Sequence, residues 1–178
     1  MRMVFSGFGG QGILVLGEIV GIIAMKKGME VTWMPSYGAE MRGGTANCSV
    51  IISKTPIGSP IVQSNIDILV AMNGPSIDKF LPKVKPNGLV LVNSSIVTDE
   101  LPRTDIDILK IDATNIAVKV GSLRIANMVM LAGFLKKTDL FTLEDITDVL
   151  KARFKGARSQ ELIPLNIEAI QKGIESLK

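Results

Sequence analysis

The sequence predicts an α/β fold: an open, doubly wound and mostly parallel sheet with a short antiparallel excursion and a helical C-terminal layer. Three observations predict this fold. Short aliphatic runs alternate with helical periods, and in the last third of the chain helical periods stand alone. Aromatic residues are 4% of the 178 residues while hydrophobic residues are 47%, so the core must be mostly aliphatic. We expect residues 1–178 to form a single domain.

The amino-terminal part of the chain predicts a strand, a tight turn and a helix. Met3 to Ser6 is an apolar run that stops at a glycine, which indicates a buried strand. Ile13 to Lys27 carries apolar residues on most of its faces and predicts a helix buried between the sheet and another layer. Gly17 and Gly21 share one face of this helix, so its backbone can approach a neighbouring element closely.

The next segment should contain the antiparallel excursion. Val31 to Met34 predicts a second strand, which Pro35 should end. Thr45 to Ser53 is strand-like, and the turn at residues 55–60 should lead to another short strand. Two strands joined so closely must run antiparallel to each other.

The rest of the chain predicts three more strands, with one short helix between the first two, and then a run of helices. The strands are expected at Ile66 to Met72, Leu89 to Val92 and Asp107 to Ile111. The helices are expected at 76–81, from 115 onward, and most clearly at 125–135, 143–154 and 161–177. These last helices are the basis for the predicted C-terminal layer.

Missing residue types exclude several kinds of chemistry. The chain has no histidine, which excludes a Ser-His triad and a histidine-ligated metal. Its one cysteine, Cys48, can form no intramolecular disulfide and cannot alone hold an iron–sulfur cluster or a structural zinc. Because Cys48 lies in an apolar strand, we expect it to be a buried small hydrophobe. We expect no catalytic residue and no metal ligand in this chain.

Charge and hydropathy also limit the function classes. The net charge of +3 comes from scattered basic residues, which gives little support to nucleic-acid binding. The amino terminus enters a motif at once, so we expect no signal peptide. The apolar stretch from Ile13 to Met25 is too short to span a bilayer and contains Glu18. We therefore expect a cytoplasmic protein that binds neither nucleic acid nor membranes.

A glycine-rich turn follows the first predicted strand. Gly7, Gly9 and Gly12 have the G-x-G-x-x-G spacing between a strand and a helix. Such glycines let an anion reach backbone N–H groups at a helix N-terminus, or they serve only the tight turn and its packing. A dinucleotide site also needs an acidic residue at the carboxyl end of the second strand, where Met34-Pro35-Ser36 stands. The sequence therefore argues against an NAD site.

A second motif makes the combination specific. Gly7-Phe8-Gly9-Gly10-Gln11-Gly12 is followed by Pro35-Ser36-Tyr37-Gly38-Ala39-Glu40-Met41-Arg42-Gly43-Gly44-Thr45-Ala46. This pair of motifs resembles the gamma subunit of the 2-oxoacid:ferredoxin (acceptor) oxidoreductases of the 2-oxoglutarate/pyruvate type. The resemblance continues through most of the chain, including residues 50–53 and the helical stretch around Asn127.

The resemblance implies an accessory, non-catalytic subunit of a larger enzyme. That enzyme oxidatively decarboxylates a 2-oxoacid with thiamine diphosphate, passes electrons through iron–sulfur clusters to ferredoxin, and transfers the acyl group to coenzyme A. Alpha and beta subunits, and a delta subunit where one exists, would carry the thiamine diphosphate and the clusters. The gamma chain would bind none of these alone, would be inactive in isolation, and would help to form the coenzyme A region. A bare interface would favour self-association of the isolated chain.

Both motifs follow early strands, so both should lie at the carboxyl edge of the sheet, where open α/β folds bind ligands. The expected ligand-contacting residues are those of the glycine-rich segments: Gly7, Gly9, Gly10, Gln11, Gly12, Arg42, Gly43 and Gly44. The Arg42 guanidinium has the geometry to meet a phosphate of coenzyme A. The expected interface contacts are Tyr37, Glu40 and Met41. For residues 37–44, a subunit contact, a ligand contact and a plain solvent loop remain three alternatives.

A free-standing nucleotide-binding module that uses the glycine loop is the alternative function. The missing acidic residue on the second strand argues against it, as does the absence of a separate substrate domain. In the favoured interpretation, partner chains decide which 2-oxoacid is the substrate.

Overall fold

The computed structural model describes residues 1–37, 45–154, 156 and 161–177, which form one sheet with helices on both faces. The strands are β1 (Arg2–Phe8), β2 (Glu30–Tyr37), β3 (Thr45–Ser53), β4 (Ile66–Ala71), β5 (Val84–Asn93) and β6 (Asp107–Ile111). The helices are α1 (Ile13–Lys26), α2 (Gly74–Phe80), α3 (Ala113–Val120), α4 (Ala126–Lys137), α5 (Leu143–Arg153) and α6 (Leu162–Ser176). Short 3-10 turns occupy Leu81–Lys83 and Leu123–Ile125.

The strand order is β2-β3-β1-β4-β5-β6. The pairs β1–β4, β4–β5 and β5–β6 are parallel, whereas β3 is antiparallel to both of its neighbours, β1 and β2. Because β3 opposes both, β2 runs in the same direction as β1, and these two strands end at the same edge of the sheet. The predicted mostly parallel α/β fold with an antiparallel excursion is confirmed.

The expected origin of the antiparallel excursion is wrong. Residues 54–65 contain no strand, so no second strand follows the turn at 55–60, and β3 itself is the antiparallel element. Pro56 and Pro60 have no N–H to donate to a ladder, and the Ser53 and Ser59 hydroxyls accept the N–H groups of Thr55 and Ile61 instead. Local side-chain hydrogen bonds therefore replace the strand that the apolar residues suggested.

The expected end of the second strand is also wrong. The sequence predicts a strand that stops at Pro35, but β2 continues to Tyr37 and Pro35 pairs with Cys48. β2 is at the edge of the sheet, where a strand donates hydrogen bonds on one side only. An edge strand tolerates proline for this reason, so the strand passes through it.

Two hydrophobic clusters lie on opposite faces of the sheet. Phe5 belongs to the larger cluster with residues of α1, α4, α5 and α6, and its neighbour Val4 belongs to the smaller cluster with residues of α2. This alternation follows from the two-residue period of a strand. Helices therefore cover both faces of the sheet, and most of the helices lie on the face of the larger cluster.

The C-terminal helical layer is two helices deep over the sheet. A Cβ on Gly133 of α4 would be 2.7 Å from the Ile111 side chain, so α4 lies directly on the sheet. A Cβ on Gly173 of α6 would be 2.7 Å from the Cβ of Ala132, so α6 lies directly on α4. The predicted helical layer is confirmed. Gly133 sets the close spacing of α4 and the sheet, and Gly173 sets that of α6 and α4.

Helix α1 approaches the sheet as closely as its glycines predict. A Cβ on Gly17 would be 2.5 Å from Cys48 Sγ and 3.2 Å from the Phe5 ring, and one on Gly21 would be 3.4 Å from Val31. Cys48 is fully buried at this contact, and burial raises the pKa of its thiol to about 12. The prediction that Cys48 is a buried small hydrophobe is confirmed.

Candidate functional site

The glycine loop connects β1 to α1 at the carboxyl edge of the sheet. The Gln11 N–H donates to the Phe8 carbonyl at 3.1 Å, which closes the turn. Gly10 and Gly12 have positive φ angles of 98° and 71°, a region that other residues rarely adopt. Gly12 is the N-cap of α1 and has no side chain with which to cap this helix. The first turn of α1 therefore presents backbone N–H groups, which carry the positive end of the helix dipole.

The side chain of Gln11 is bonded inside the chain. Its Oε1 accepts the Phe8 N–H at 2.7 Å, and its Nε2 donates to the Met72 carbonyl at 3.4 Å. A Cβ on Gly7 would be 2.6 Å from Gln11 Oε1, so Gly7 leaves the space that this amide fills. Gln11 and Gly7, both expected to contact a ligand, thus have a structural role in the loop.

The hydrogen bond from Gln11 to Met72 lies at the position where the connections after neighbouring strands leave on opposite faces of the sheet. The chain leaves β1 for α1 on one face and leaves β4 for α2 on the other. In open α/β folds the crevice between two such diverging connections is the usual ligand site. Here the Gln11 side chain bridges that crevice, and β2 ends at Tyr37 without an acidic residue. Both features differ from a dinucleotide site.

Asn127, at the start of α4, holds the other end of the glycine loop. Its Nδ2 donates to the Gly12 carbonyl at 3.1 Å, and its side chain is buried. A Cβ on Gly12 would be 2.5 Å from this Nδ2, so the glycine is required for the contact. The sequence alone predicts no role for Asn127. The signal that could have found it is a lone polar residue within the apolar run of residues 125–135.

A cavity of about 470 Å³ lies beside the glycine loop, between the start of α1 and the ends of β2 and β3. Its described lining residues are Phe8, Gly9, Gly10, Gly12, Ile13, Leu14, Val15, Tyr37 and Ala46. None of these described residues has a charged side chain, so backbone groups and the Tyr37 hydroxyl are its polar elements. Tyr37 is 60% exposed. The structure thus brings Tyr37 to the glycine loop.

The remaining residues that the sequence suggested for this site lie outside the described residues. They are Glu40, Met41, Arg42, Gly43 and Gly44. Within the described part of the chain, no group of acidic or cysteine side chains is arranged to hold a metal ion. No helix among the described residues is both long enough and apolar enough to cross a bilayer.

A small buried polar cluster supports the loop after β4. Ser76 Oγ lies 2.8 Å from Ser6 Oγ and 2.6 Å from Asn73 Oδ1, and this Oδ1 also accepts the Ser76 N–H. Asn73 thereby caps α2 and fixes the turn that contains Met72, the acceptor for Gln11. The sequence does not predict this cluster, although Asn73 before Gly74-Pro75 is a recognisable N-cap signal.

Comparison with known proteins shows relatives over nearly the whole chain. The family model described as "Pyruvate ferredoxin/flavodoxin oxidoreductase" matches residues 2–176. The ketoisovalerate oxidoreductase subunit VorA of Methanothermobacter thermautotrophicus is 35% identical, over 98% of this chain and 36% of its own length. The 2-oxoglutarate synthase subunit KorC of Methanocaldococcus jannaschii is 37% identical, over 97% of this chain and 91% of its own length. The chain thus spans about a third of the VorA protein but nearly all of KorC.

Solved structures give the same division into short and long relatives. The gamma subunit of a keto/oxoacid ferredoxin oxidoreductase from Geobacter sulfurreducens superposes with a TM-score of 0.81 at 30% identity, covering 99% of this chain and 97% of that one. A 2-oxoglutarate:ferredoxin oxidoreductase from Magnetococcus marinus, solved with 2-oxoglutarate, coenzyme A and succinyl-CoA bound, gives 0.85 at 25% identity. This match covers 31% of the Magnetococcus marinus chain and 100% of this chain.

Proposed function

Because this chain belongs to the pyruvate ferredoxin/flavodoxin oxidoreductase family, we propose that it is the gamma subunit of a thiamine-dependent 2-oxoacid:ferredoxin oxidoreductase. The observation that carries the proposal is the end-to-end match with a separate gamma subunit, which covers 99% of this chain and 97% of the other. The complete enzyme would convert a 2-oxoacid to an acyl-CoA and pass the electrons to ferredoxin.

The redox and carbanion chemistry would belong to partner subunits. An iron–sulfur cluster needs several thiolates, and this chain has one cysteine, whose thiol is buried with a pKa of about 12. The residues of this chain therefore do not fit a cluster. Thiamine diphosphate and the clusters would be held by alpha and beta subunits, and by a delta subunit where the enzyme has one. The relatives in which this domain is about a third of a longer polypeptide support a permanent association.

The part we propose for this chain is one wall of a shared coenzyme A site. The cavity beside the glycine loop has the size of a small-molecule site and includes Tyr37 at its rim. The backbone N–H groups of the loop and of the first turn of α1 favour the binding of an anion such as a phosphate group. Arg42, in the neighbouring segment, would supply the charge that the described lining lacks.

Purification from the native host under anaerobic conditions tests the proposed assembly. We expect this chain to be recovered with a thiamine-binding subunit, and the preparation to reduce a viologen dye only when a 2-oxoacid and coenzyme A are both present. Recovery of the chain alone, or with unrelated proteins, would contradict the proposal.

Substitution of Arg42 tests the coenzyme A wall in the assembled enzyme. Arg42→Ala should raise the KM for coenzyme A about tenfold, since a charge-assisted contact to phosphate is lost. Lys54→Ala removes an exposed positive charge at the opposite edge of the sheet and is the matched control. If Arg42→Ala instead weakens subunit association and leaves this KM unchanged, the segment is a subunit contact.

A further inference from the structure

The orientation of the Asn127 amide is fixed by its own helix. Asn127 Oδ1 accepts the N–H of Met128 at 3.0 Å, so the Nδ2 group must point the other way. In that direction it meets the carbonyl of Gly12 at 3.1 Å, a residue 115 positions earlier in the chain. The side chain is 5% exposed, so water is a poor substitute for this donor.

The carbonyl that Asn127 holds is also the first acceptor of helix α1. The Leu16 N–H donates to the Gly12 carbonyl at 3.0 Å, which starts the hydrogen-bond ladder of the helix. Gly12 is the left-handed N-cap residue, with a φ of 71°, and it has no side chain with which to cap the helix. The direction of the free N–H groups in the first turn therefore depends on where Asn127 holds this carbonyl.

The opposite end of the loop is held independently by Gln11, through Phe8 and Met72. Between the anchored residues Phe8 and Gly12 lie Gly9, Gly10 and Gln11, and a Cβ on Gly10 would meet no atom of the described residues within 4 Å. Both glycines line the cavity, whereas Asn127 is not among its described lining residues. The amide side chains of Gln11 and Asn127 thus hold the part of the loop that faces the cavity from its two ends.

We infer that Asn127 is a positioning residue for coenzyme A. It holds Gly12 so that the N–H groups of the loop and of the first turn of α1 face a phosphate oxygen in the cavity, and it does not touch the ligand itself. The identity of the ligand rests on the proposed function, while the effect of Asn127 on the loop does not.

Hydrogen exchange on the isolated full chain tests the effect on the loop. Asn127→Ala should speed amide exchange in residues 7–16 by about tenfold or more, because the loop and the first turn lose an anchor. The matched control is Asn166→Ala in α6, since Asn166 is equally buried and also donates to a backbone carbonyl, that of Leu162 at 2.7 Å. Equal exchange of residues 7–16 in the two variants would overturn the inference. If Asn127→Ala does not fold, Asn127→Ser, which lacks the amide donor, is measured in its place.

Steady-state kinetics of the assembled enzyme tests the effect on coenzyme A. The Asn127 variant should raise the KM for coenzyme A about tenfold and change the KM for the 2-oxoacid less than about twofold, with Asn166→Ala altering neither. An unchanged KM for coenzyme A in an intact complex would overturn the assignment of this ligand. A wild-type complex without coenzyme A-dependent turnover would refute the proposed function, and hydrogen exchange alone would then decide whether Asn127 positions the loop.

Discussion

At the scale of single residues, the candidate site is built by amide side chains that bond to backbone groups. Gln11 satisfies the N–H of Phe8 and the carbonyl of Met72, and Asn127 satisfies the carbonyl of Gly12. Amides suit this role because each one offers a donor and an acceptor at opposite ends. The two glycines nearest these amides, Gly7 and Gly12, lack the Cβ that would collide with them.

Removal of the Gln11 amide should destabilise the chain. Gln11→Ala leaves the Phe8 N–H and the Met72 carbonyl without their partner, and we expect the free energy of unfolding to fall by about 1–3 kcal/mol. Urea denaturation measures this change. Gln63→Ala, at an exposed position in the 54–65 segment, is the control and should change stability by less than about 0.5 kcal/mol. Equal effects of the two substitutions would contradict the role given to Gln11.

Cys48 should react only when the protein unfolds. Its thiol is fully buried, and its pKa is raised to about 12, so almost none of the thiol is ionised to the thiolate at pH 8. We expect iodoacetamide to leave Cys48 unmodified in the native protein and to alkylate it fully in urea, as measured by intact mass. Rapid modification under native conditions would show that α1 does not cover this residue.

At the scale of elements, two glycines of α1 should respond in opposite directions to the same change. Gly17→Ala places a methyl group 2.5 Å from Cys48 Sγ, and overpacking of this kind costs about 1–3 kcal/mol. Gly21→Ala meets only Val31 at 3.4 Å, and alanine should stabilise the helix there by about 0.5–1 kcal/mol. Thermal unfolding of both variants checks the prediction, and two changes of equal sign would contradict it.

The sequence predicts the elements well where one signal dominates and poorly where signals compete. The bounds of β6 and the start of α1 agree with the predicted ones. Pro35 was a wrong boundary, since the local rule against proline in strands depends on whether the strand lies at an edge, which is a tertiary fact. The prediction for residues 54–65 is wrong for a local reason, since two prolines and hydrogen bonds to the Ser53 and Ser59 hydroxyls replace the expected strand.

The candidate site is predictable only in its local part. The turn between β1 and α1 is predictable from residues next to one another in the chain, although Gly7 and Phe8, expected in the turn, are the last residues of β1. The apolar run around Asn127 marks it as an unusual polar residue, but no local pattern identifies its partner, the Gly12 carbonyl 115 residues earlier. The polar cluster of Ser6 and Ser76 was overlooked for the same reason, because its members come together only when α2 packs on β1.

At the scale of the whole molecule, acid should weaken the fold through carboxylates whose pKa is lowered in the folded state, among them Asp145 and Asp67. Hydrogen bonds from Lys27 and from the Thr142 N–H hold the pKa of Asp145 below its usual value. Burial alone would raise the pKa of Asp67, but its hydrogen bonds with Lys85 and the Arg2 N–H outweigh burial and lower it. Since both pKa values are lower in the folded state, both carboxylates stabilise the protein above the unfolded value of about 4.

This stabilisation should disappear as the pH falls through and below about 4, and the unfolding free energy should change little between about pH 5 and 7. Urea titrations at a series of pH values measure the dependence. Asp145→Asn removes one of these groups and should give a shallower decline on the acid side. A variant that keeps the full slope would show that Asp145 does not contribute.

The bond between Asn127 and Gly12 also has a consequence for synthesis of the protein. A chain still being made contains the glycine loop from the start, but it lacks the second anchor until residue 127 has been added and α4 has packed. Closing a loop of this length is slow relative to forming local turns. The loop therefore takes its final shape only after α4 has packed. A molecule that recognises the finished loop thereby distinguishes chains in which α4 has packed from chains in which it has not.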